Sequence, residues 1–517
     1  MSVKLQKEHI RLSETICSKY CQTTVESDII VPDVKPDILK ILQVDSEVVI
    51  NQKNVQTDKV YVQGIIRMNV IYAPDTENTR AVKSISTSQE FNHSVDIKDA
   101  MPGMEVCIDA ETDPAEYTLV NSRKLSIRNK VGLCVRIMGA KELEIATGID
   151  EELPVETKHQ KIKIYNPCID TVRDIIIRER LEVPAGKPAV CEVIKFSAKA
   201  ASTELRLMAS SAVVKGELKI CTLYCGEGDG AAPEVMEHTV PFSEVLEIDG
   251  LSESMNGEID YTVKDFYFEI CQDSDGDKRI LSCEFTLEAA VRAFETLECN
   301  AIEDAYGLTR PIEIKKSAYN IEQFIGSSSE QVTVKEQVNI PDYLPEVQRL
   351  CECGGIPSIE SVSIDDNCVT VSGYITCNFL YLSEDGSMPV SGFAHVLPFS
   401  HTFEMEGLSA DSVCDAKAET EHISCTISGG KGFEVRAIVK LFVKAVKPFR
   451  SEIISEVSCC DDASIPKHAS IVAYFVQKGD TLWDIAKRYH ISPDAIVTGN
   501  GAESEIIKPG KCIYIFR

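Results

Sequence analysis

The chain has 517 residues, 44% of them hydrophobic, and a net charge of −28 at pH 7. Its length predicts three or four domains with ordinary packed cores, and its negative charge argues against nucleic acid or an anionic membrane as a partner. Residues 1–30 show no signal peptide, and no stretch approaches the ~20 apolar residues that a membrane span needs. Residues 471–517 carry a net charge of +1, which leaves −29 on residues 1–470.

Twenty cysteines are spread along the chain, mostly singly and within apolar strand patterns, as at Cys134, Cys283 and Cys377. In a large chain without an export signal, this pattern favours reduced thiols that act as small buried hydrophobes over disulfides. Cysteines that are close in sequence, such as Cys17 and Cys21 or Cys351 and Cys353, do not form the paired CxxC spacing of a zinc site. We therefore expect no metal site and no cofactor.

An internal repeat accounts for residues 1–458. The spacing Pro-x3-Pro-x27-Gly-x7-Tyr occurs three times without a gap, and the copies are offset by 152 and 157 residues. The repeated positions are Pro32, Pro36, Gly64 and Tyr72, then Pro184, Pro188, Gly216 and Tyr224, then Pro341, Pro345, Gly373 and Tyr381. Such a period predicts three modules, at residues 1–150, 151–310 and 311–458.

Each module is predicted to be mainly antiparallel β-structure. Apolar residues alternate with a period of two around the repeated glycine, from Val60 to Tyr72 in the first copy, which is typical of a long half-buried strand. The glycine fits a bulge or a bend. A second alternating run, from Leu125 to Val135, follows in the first copy and has counterparts in the others. After the proline pair we predict one short helix in each module, clearest at Pro36–Leu42.

The repeated polar residues do not form a catalytic pattern. The three tyrosines lie on the apolar face of the predicted strand, and His238 and His395 share no carboxylate or nucleophile partner. Ser428–Gly432 is glycine-rich but lacks the spacing and the following helix of a phosphate-binding loop. We therefore assign structural roles to these residues and predict a protein without enzymatic activity.

The C-terminal residues 471–517 form a separate unit after a linker at 459–470. A strand at Tyr474–Val476 precedes Thr481, which can cap a helix together with Asp484. Ser492-Pro493 begins a second helix, Asn500-Gly501 ends it, and Cys512–Phe516 is a second strand. The predicted order is βααβ, and the linker predicts a tail that moves relative to the body.

This unit resembles a LysM domain, from Tyr474 through Gly479–Ala486 and Asn500 to Pro509–Ile515. LysM domains bind glycans that contain N-acetylglucosamine, in a groove between the two loops that join helices to strands. Trp483, the only tryptophan of the chain, is at the edge of the apolar helix face, where it can close the core or contact a ligand. The resemblance implies a ligand or partner site at Gly479, Asp480, Thr481, Leu482, Trp483, Asn500, Ile506, Ile507 and Pro509.

Three such modules followed by a LysM domain resemble the SipL-type spore coat morphogenesis proteins, which have three SPOCS repeats. The resemblance implies a non-enzymatic scaffold in the mother-cell cytoplasm, at the forespore surface and spore coat. It also implies that the LysM domain docks to the basement-layer morphogenetic ATPase of the coat. A cytosolic location is consistent with a chain that has no export signal.

Two functions of different classes remain open from the sequence. The first is a scaffold or adaptor in coat assembly. The second is a cell-wall or cortex protein that binds peptidoglycan, a polymer containing N-acetylglucosamine, through the LysM domain. A LysM-targeted hydrolase would need a pair of catalytic carboxylates or a Cys/His arrangement, and the sequence offers neither. Self-association of the modules stays open.

Overall fold

The structure is a computed structural model that describes residues 4–76, 81–149, 154–228, 232–385, 389–459, 465, 469–501 and 508–516. These residues form 21 β-strands and two short α-helices, and both helices lie after residue 480. Neither of these helices is long and apolar enough to cross a membrane. The predicted mainly-β fold is therefore confirmed.

Each of the three modules consists of six or seven antiparallel strands, and its first and last strands are the longest. The first module contains β1 (Leu5–Ile30), β2 (Ile38–Gln56), β3 (Lys59–Pro74), β4 (Lys83–Asp96), β5 (Glu105–Thr112), β6 (Glu116–Asn121) and β7 (Lys124–Ile149). The second contains β8 (Val155–Glu182), β9 (Val190–Met208), β10 (Ser211–Gly226), β11 (Pro233–Glu247), β12 (Asn256–Cys271) and β13 (Ile280–Gly307). The third contains β14 (Ile312–Asn339), β15 (Val347–Asp365), β16 (Cys368–Ser383), β17 (Val390–Glu404), β18 (Val413–Ser428) and β19 (Gly432–Cys459).

The strands of each module form two sheets with a core between them. One sheet has the order β2-β3-β4, β9-β10-β11 or β15-β16-β17, and the other has the order β1-β7-β5, β8-β13-β12 or β14-β19-β18. In the first module β6 also pairs with β7, so the third strand of this sheet is divided in two. The alternating residues of β3, from Val60 to Tyr72, are buried, as the period of two predicts.

The short helix predicted in each module is absent from the described residues, and the prediction for Pro36–Leu42 is wrong. β2 begins at Ile38 and contains two β-bulges before residue 44. Each bulge adds one residue and shifts the alternation of the strand. Ile38 and Ile41 therefore face the same core, while Leu42 faces the opposite side. Bulges on a strand thus reproduced the apolar spacing of a helix.

The residues that define the repeat hold each module together. The hydroxyl groups of Tyr72, Tyr224 and Tyr381 donate hydrogen bonds to the carbonyl oxygens of Pro36, Pro188 and Pro345, at 3.1, 3.1 and 2.8 Å. A Cβ added at any of the three repeated glycines would lie less than 3.0 Å from a phenylalanine ring of the adjacent strand and from a backbone oxygen. The repeat spacing therefore records internal packing of the module.

The longest strands extend past the two-sheet cores as two-stranded ribbons. β1 pairs with β7 over almost its whole length, and β8 pairs with β13 and β14 with β19 in the same way. The outer halves of the three ribbons pack on one another. Their buried residues form a shared cluster of Ile10, Leu12, Leu143, Ile145, Ile162, Ile164, Cys299, Ala301, Ile321 and Ile453.

Equivalent residues of the three modules also meet in a second shared cluster, distant in sequence from the outer ribbon halves. One set at the same repeat position is Leu42, Ile194 and Cys351, another is Ile71, Leu223 and Leu380, and all six are buried together. Because equivalent positions converge twice, the modules are arranged about a common axis with approximate threefold symmetry. The body therefore contains cores that no single module could bury alone.

Buried charges stand beside this second cluster. Lys195 is at the repeat position of Glu352, and its ammonium nitrogen lies 2.6 Å from a Glu352 oxygen and 3.0 Å from an Asp45 oxygen. Burial by itself would lower the pKa of Lys195, but the two carboxylates raise it, and its pKa lies above the ordinary value. Asp45, Lys195 and Glu352 come from the three different modules, so this ion-paired group joins all three.

A second set of ion pairs closes a ring of the three modules. A basic side chain at the same repeat position of each module forms an ion pair with a carboxylate of a neighbouring module. The pairs are Arg136 with Asp415 at 3.1 Å, Arg292 with Asp109 at 3.9 Å, and Lys444 with Glu258 at 3.1 Å. The first module thus contacts the third, the third the second, and the second the first.

The nineteen cysteines among the described residues are free thiols. Burial raises the pKa of Cys283 and of Cys377 to about 12. At neutral pH these side chains are therefore uncharged, and they pack in their cores as small hydrophobic groups.

Candidate functional site in the C-terminal domain

The C-terminal domain has the predicted order of elements: β20 (Ile471–Phe475), α1 (Leu482–Tyr489), α2 (Pro493–Gly499) and β21 (Cys512–Phe516). Thr481 caps α1, because its side chain accepts a hydrogen bond from the Asp484 backbone while the Asp484 carboxylate accepts from the Thr481 backbone. Ser492 caps α2 in the same position relative to its helix. The capping residues read from the sequence are confirmed.

Asp480 fixes the loop between β20 and α1. Its carboxylate accepts a hydrogen bond from the Tyr474 hydroxyl at 2.6 Å and another from the Gln477 backbone at 2.8 Å. The hydrogen bond from Tyr474 is the main reason why the pKa of Asp480 lies below its ordinary value. Gly479 precedes it with φ +97°, a conformation that favours glycine. These two residues shape the loop and leave its outer side exposed.

Asn500 joins the end of α2 to β21. Its side-chain amide donates to the carbonyl oxygens of Ile496 and Tyr514, at 2.8 and 2.7 Å, and its side-chain oxygen accepts from the Tyr514 backbone at 2.7 Å. All the hydrogen-bonding groups of this amide are used within the domain except one lone pair. Asn500 therefore positions the second loop.

The described members of the predicted site differ in exposure. Gly479, Thr481 and Pro509 are exposed, and Leu482 packs against the core of the domain. The backbone N–H of Gly510 donates to the carbonyl oxygen of Val476 at 2.8 Å, so the turn at Pro509 lies beside the end of β20. Two predicted members, Ile506 and Ile507, lie outside the described residues.

Trp483 does not face solvent freely, because it contacts the second module. Its indole N–H donates a hydrogen bond to the Asp304 carboxylate at 2.8 Å, and the Lys487 ammonium lies 2.7 Å from both oxygens of the same carboxylate. Burial by itself would raise the pKa of Asp304, but these hydrogen bonds outweigh burial and lower it. Asp304 is thus an anionic anchor for α1.

Tyr306 extends this contact into the core of the C-terminal domain. Its ring is 3% exposed and meets the Trp483 ring edge-on, with the ring centroids 4.9 Å apart. Its hydroxyl donates to the carbonyl oxygen of Ile491 at 2.7 Å, and His490 donates from Nδ1 to the carbonyl oxygen of Gly307 at 2.8 Å. In this structure α1 and the turn after it therefore pack on the end of β13. Most of the predicted linker at 459–470 lies outside the described residues, and the predicted motion of the tail stays a prediction.

Sequence reasoning missed Asp304 and Tyr306 because they belong to another module and carry no motif. One signal was available in the repeat. At the position of Asp304 the other modules have Gly148 and Glu456, and at the position of Tyr306 the third module has Ser458. The carboxylate and the aromatic ring occur together only in the second module.

The repeated histidines have separate structural partners. His238 donates from Nε2 to the carbonyl oxygen of Glu182, and His395 contacts the Glu336 carboxylate, each at 2.9 Å. In the part of the chain that the structure describes, no group of three or more His, Cys, Asp or Glu side chains is placed to hold a metal ion.

The fold and the C-terminal site define a class of protein: a body of repeated β-modules that carries one small binding domain. Family comparison agrees with this description. Residues 37–120, 189–271 and 346–428 match the SipL SPOCS domain, and residues 474–516 match the LysM domain. The chain is therefore a SipL-type protein with three SPOCS domains and a C-terminal LysM domain. No curated protein and no solved structure matches it.

The matches have two consequences. The SPOCS matches begin at the start of β2, β9 and β15 and end with β6, β12 and β18, so the long flanking strands that build the ribbons lie outside the matched residues. SPOCS and LysM are non-catalytic binding domains. The presence of both indicates a sporulation-related protein with a peptidoglycan-binding type of module.

Proposed function

We propose that the protein is a non-enzymatic scaffold in endospore coat assembly. It acts in the mother-cell cytoplasm at the forespore surface, and its LysM domain docks to the basement-layer morphogenetic ATPase of the coat. The observation that carries this proposal is that the repeated residues serve the internal packing of each module. The three tyrosines and glycines of the repeat are occupied in packing, so the repetition multiplies a rigid framework.

The closed arrangement of the modules supports a scaffold role. The two shared clusters and the ion pairs between modules make one body that presents an extended surface of net charge −29, against +1 for the LysM residues. Because the net charges of the body and of the LysM domain have opposite signs, the chain suits an adaptor that contacts two different partners.

Localisation during sporulation tests the proposal. A fluorescent fusion of the full chain should accumulate around the forespore, and a fusion that lacks residues 471–517 should stay dispersed in the mother cell. Accumulation of the truncated fusion at the forespore would refute docking through the LysM domain. A control fusion carrying Lys215→Met, an exposed position on β10, should localise like the unchanged chain.

Binding of the purified ATPase tests the role of Trp483. We expect Trp483→Ala to weaken binding. Because this change also removes the contact with the second module, Asp304→Ala serves as the control: it breaks that contact and leaves the indole in place. Equal loss in both variants would show that the contact with β13, and not the indole, determines binding.

A second function, binding of N-acetylglucosamine polymers, is favoured by the exposure of Gly479, Thr481 and Pro509. These residues belong to two loops that a hydrogen bond from Gly510 to Val476 joins. Sedimentation of the full chain with purified peptidoglycan sacculi tests it. Binding to sacculi that soluble chitohexaose competes away supports the glycan function, and the absence of co-sedimentation contradicts it.

A further inference from the structure

The contact between α1 and β13 has the properties of a reversible latch. It takes Trp483, the one aromatic side chain of the predicted ligand site, and places it against Asp304 and Tyr306 of the second module. A ligand that stacks on the indole needs an accessible ring face. In the docked LysM domain Trp483 is half-buried, and the Tyr306 ring lies against it.

The latch combines a few hydrogen bonds with a small apolar contact. It consists of the Asp304 carboxylate with its two donors, the Tyr306 hydroxyl on the Ile491 carbonyl oxygen, and His490 on the Gly307 carbonyl oxygen. Among the described residues of the second module, Tyr306 and Leu308 join the apolar core of the LysM domain. Domains of one chain are expected to move relative to each other unless their interface is large and hydrophobic, and this interface uses few side chains.

The contact with α1 forms at one of three equivalent positions on the body. The three ribbons are bulged at the same repeat position, just before Gly148 in β7, Asp304 in β13 and Glu456 in β19. Gly148 has no carboxylate, and Glu456 is bound to Lys315 at 2.6 Å. With α1 packed on it, the Asp304 side chain is 15% exposed, whereas that of Glu456 is 66% exposed. Of these three positions, only Asp304 is placed to receive α1.

We propose that docking of the LysM domain onto Asp304 and Tyr306 is an autoinhibitory contact that withholds Trp483 from N-acetylglucosamine polymers until the domain is released. The inference rests on the glycan-binding function proposed above. Ligand and second module compete for the same indole, so a variant that cannot dock binds glycan more tightly. The apparent affinity of the unchanged chain is reduced by the fraction of molecules that are docked.

The sole tryptophan of the chain reports the latch directly. Acrylamide quenching of Trp483 fluorescence should increase in Asp304→Ala and stay unchanged in Glu456→Ala, the matched control at the same ribbon position. Tyr306→Phe, which removes only the hydroxyl group on the Ile491 carbonyl oxygen, should give an intermediate increase. Equal quenching in the unchanged chain and in Asp304→Ala would overturn the proposal. Thermal unfolding of each variant verifies that the fold is intact.

Titration of the full chain with chitohexaose, followed by calorimetry, tests competition. Loss of a hydrogen-bonded charged group shifts a local equilibrium by a factor of at least about ten, so Asp304→Ala should bind about tenfold more tightly than Glu456→Ala. Equal affinities would refute the latch and leave glycan binding intact. Increased quenching with no binding by any variant would instead refute the glycan function, and the proposed inhibition with it.

Discussion

Removal of the Lys195 ammonium group should destabilise the body far more than removal of an exposed one. Lys195→Met leaves Asp45 and Glu352 facing each other without a cation, and their side chains are only 23% and 8% exposed. Breaking a buried ion pair by deleting one partner costs about 3–5 kcal/mol. The Glu352 Oε2 atom already lacks a hydrogen-bond partner in the described residues. Asp45 would keep the hydrogen bonds that the Gln43 amide donates at 2.9 Å, so the loss falls mainly on Glu352.

The assay is urea unfolding followed by circular dichroism, with Lys215→Met as the control. Lys215 makes a 2.8 Å ion pair with Glu204 whose side chains are 48% and 51% exposed, and an exposed pair contributes below about 1 kcal/mol. Equal losses in the two variants would refute the view that this buried group joins the modules.

Three further predictions follow from single contacts. Tyr224→Phe removes the hydrogen bond to Pro188 and should lower the unfolding free energy by about 1 kcal/mol, measured in urea; no change would show that the hydroxyl contributes nothing to the module. Gly373→Ala, whose Cβ would meet a backbone oxygen at 2.2 Å, should cost about 1–3 kcal/mol, whereas Gly354→Ala, with 3.9 Å to its nearest atom, should be tolerated. The pKa of Asp304 lies below its ordinary value of 3.8, so its stabilisation of docking is present above that pH and is lost as the pH falls through the lowered pKa. Trp483 quenching should therefore rise only below about pH 4, and a rise at higher pH would point to another group.

The failed helix prediction shows one limit of pattern reading. Ile38, Ile41 and Leu42 have helical spacing, but the first two face the module core and the third faces the other modules. Periodicity assumes that one face of an element is buried. On a strand that is bulged and covered on both sides, that assumption fails.

The contact between modules left a weaker signal in the sequence. Val70, Ile71 and Tyr72 are consecutive buried residues, so Ile71 interrupts the alternation that the rest of β3 follows. Leu223 and Leu380 interrupt it at the same repeat position. An apolar residue on the outer face in all three copies indicates a surface that another module covers, although it does not say which one.

The sequence alone determined the repeat, the alternation of the strands, the helix caps of the C-terminal domain and the family. Repeat spacing, alternation and capping residues act over short distances, and the LysM and SPOCS patterns are of this kind. Only the tertiary structure decided how the modules close around a common axis and where Trp483 points. Those outcomes depend on residues more than 150 positions apart, such as Asp304 and Trp483 or Lys195 and Glu352, and a pairing over that distance leaves no spacing to read. The physical reason is that burial and ion pairing between modules depend on which surfaces come into contact in the folded chain.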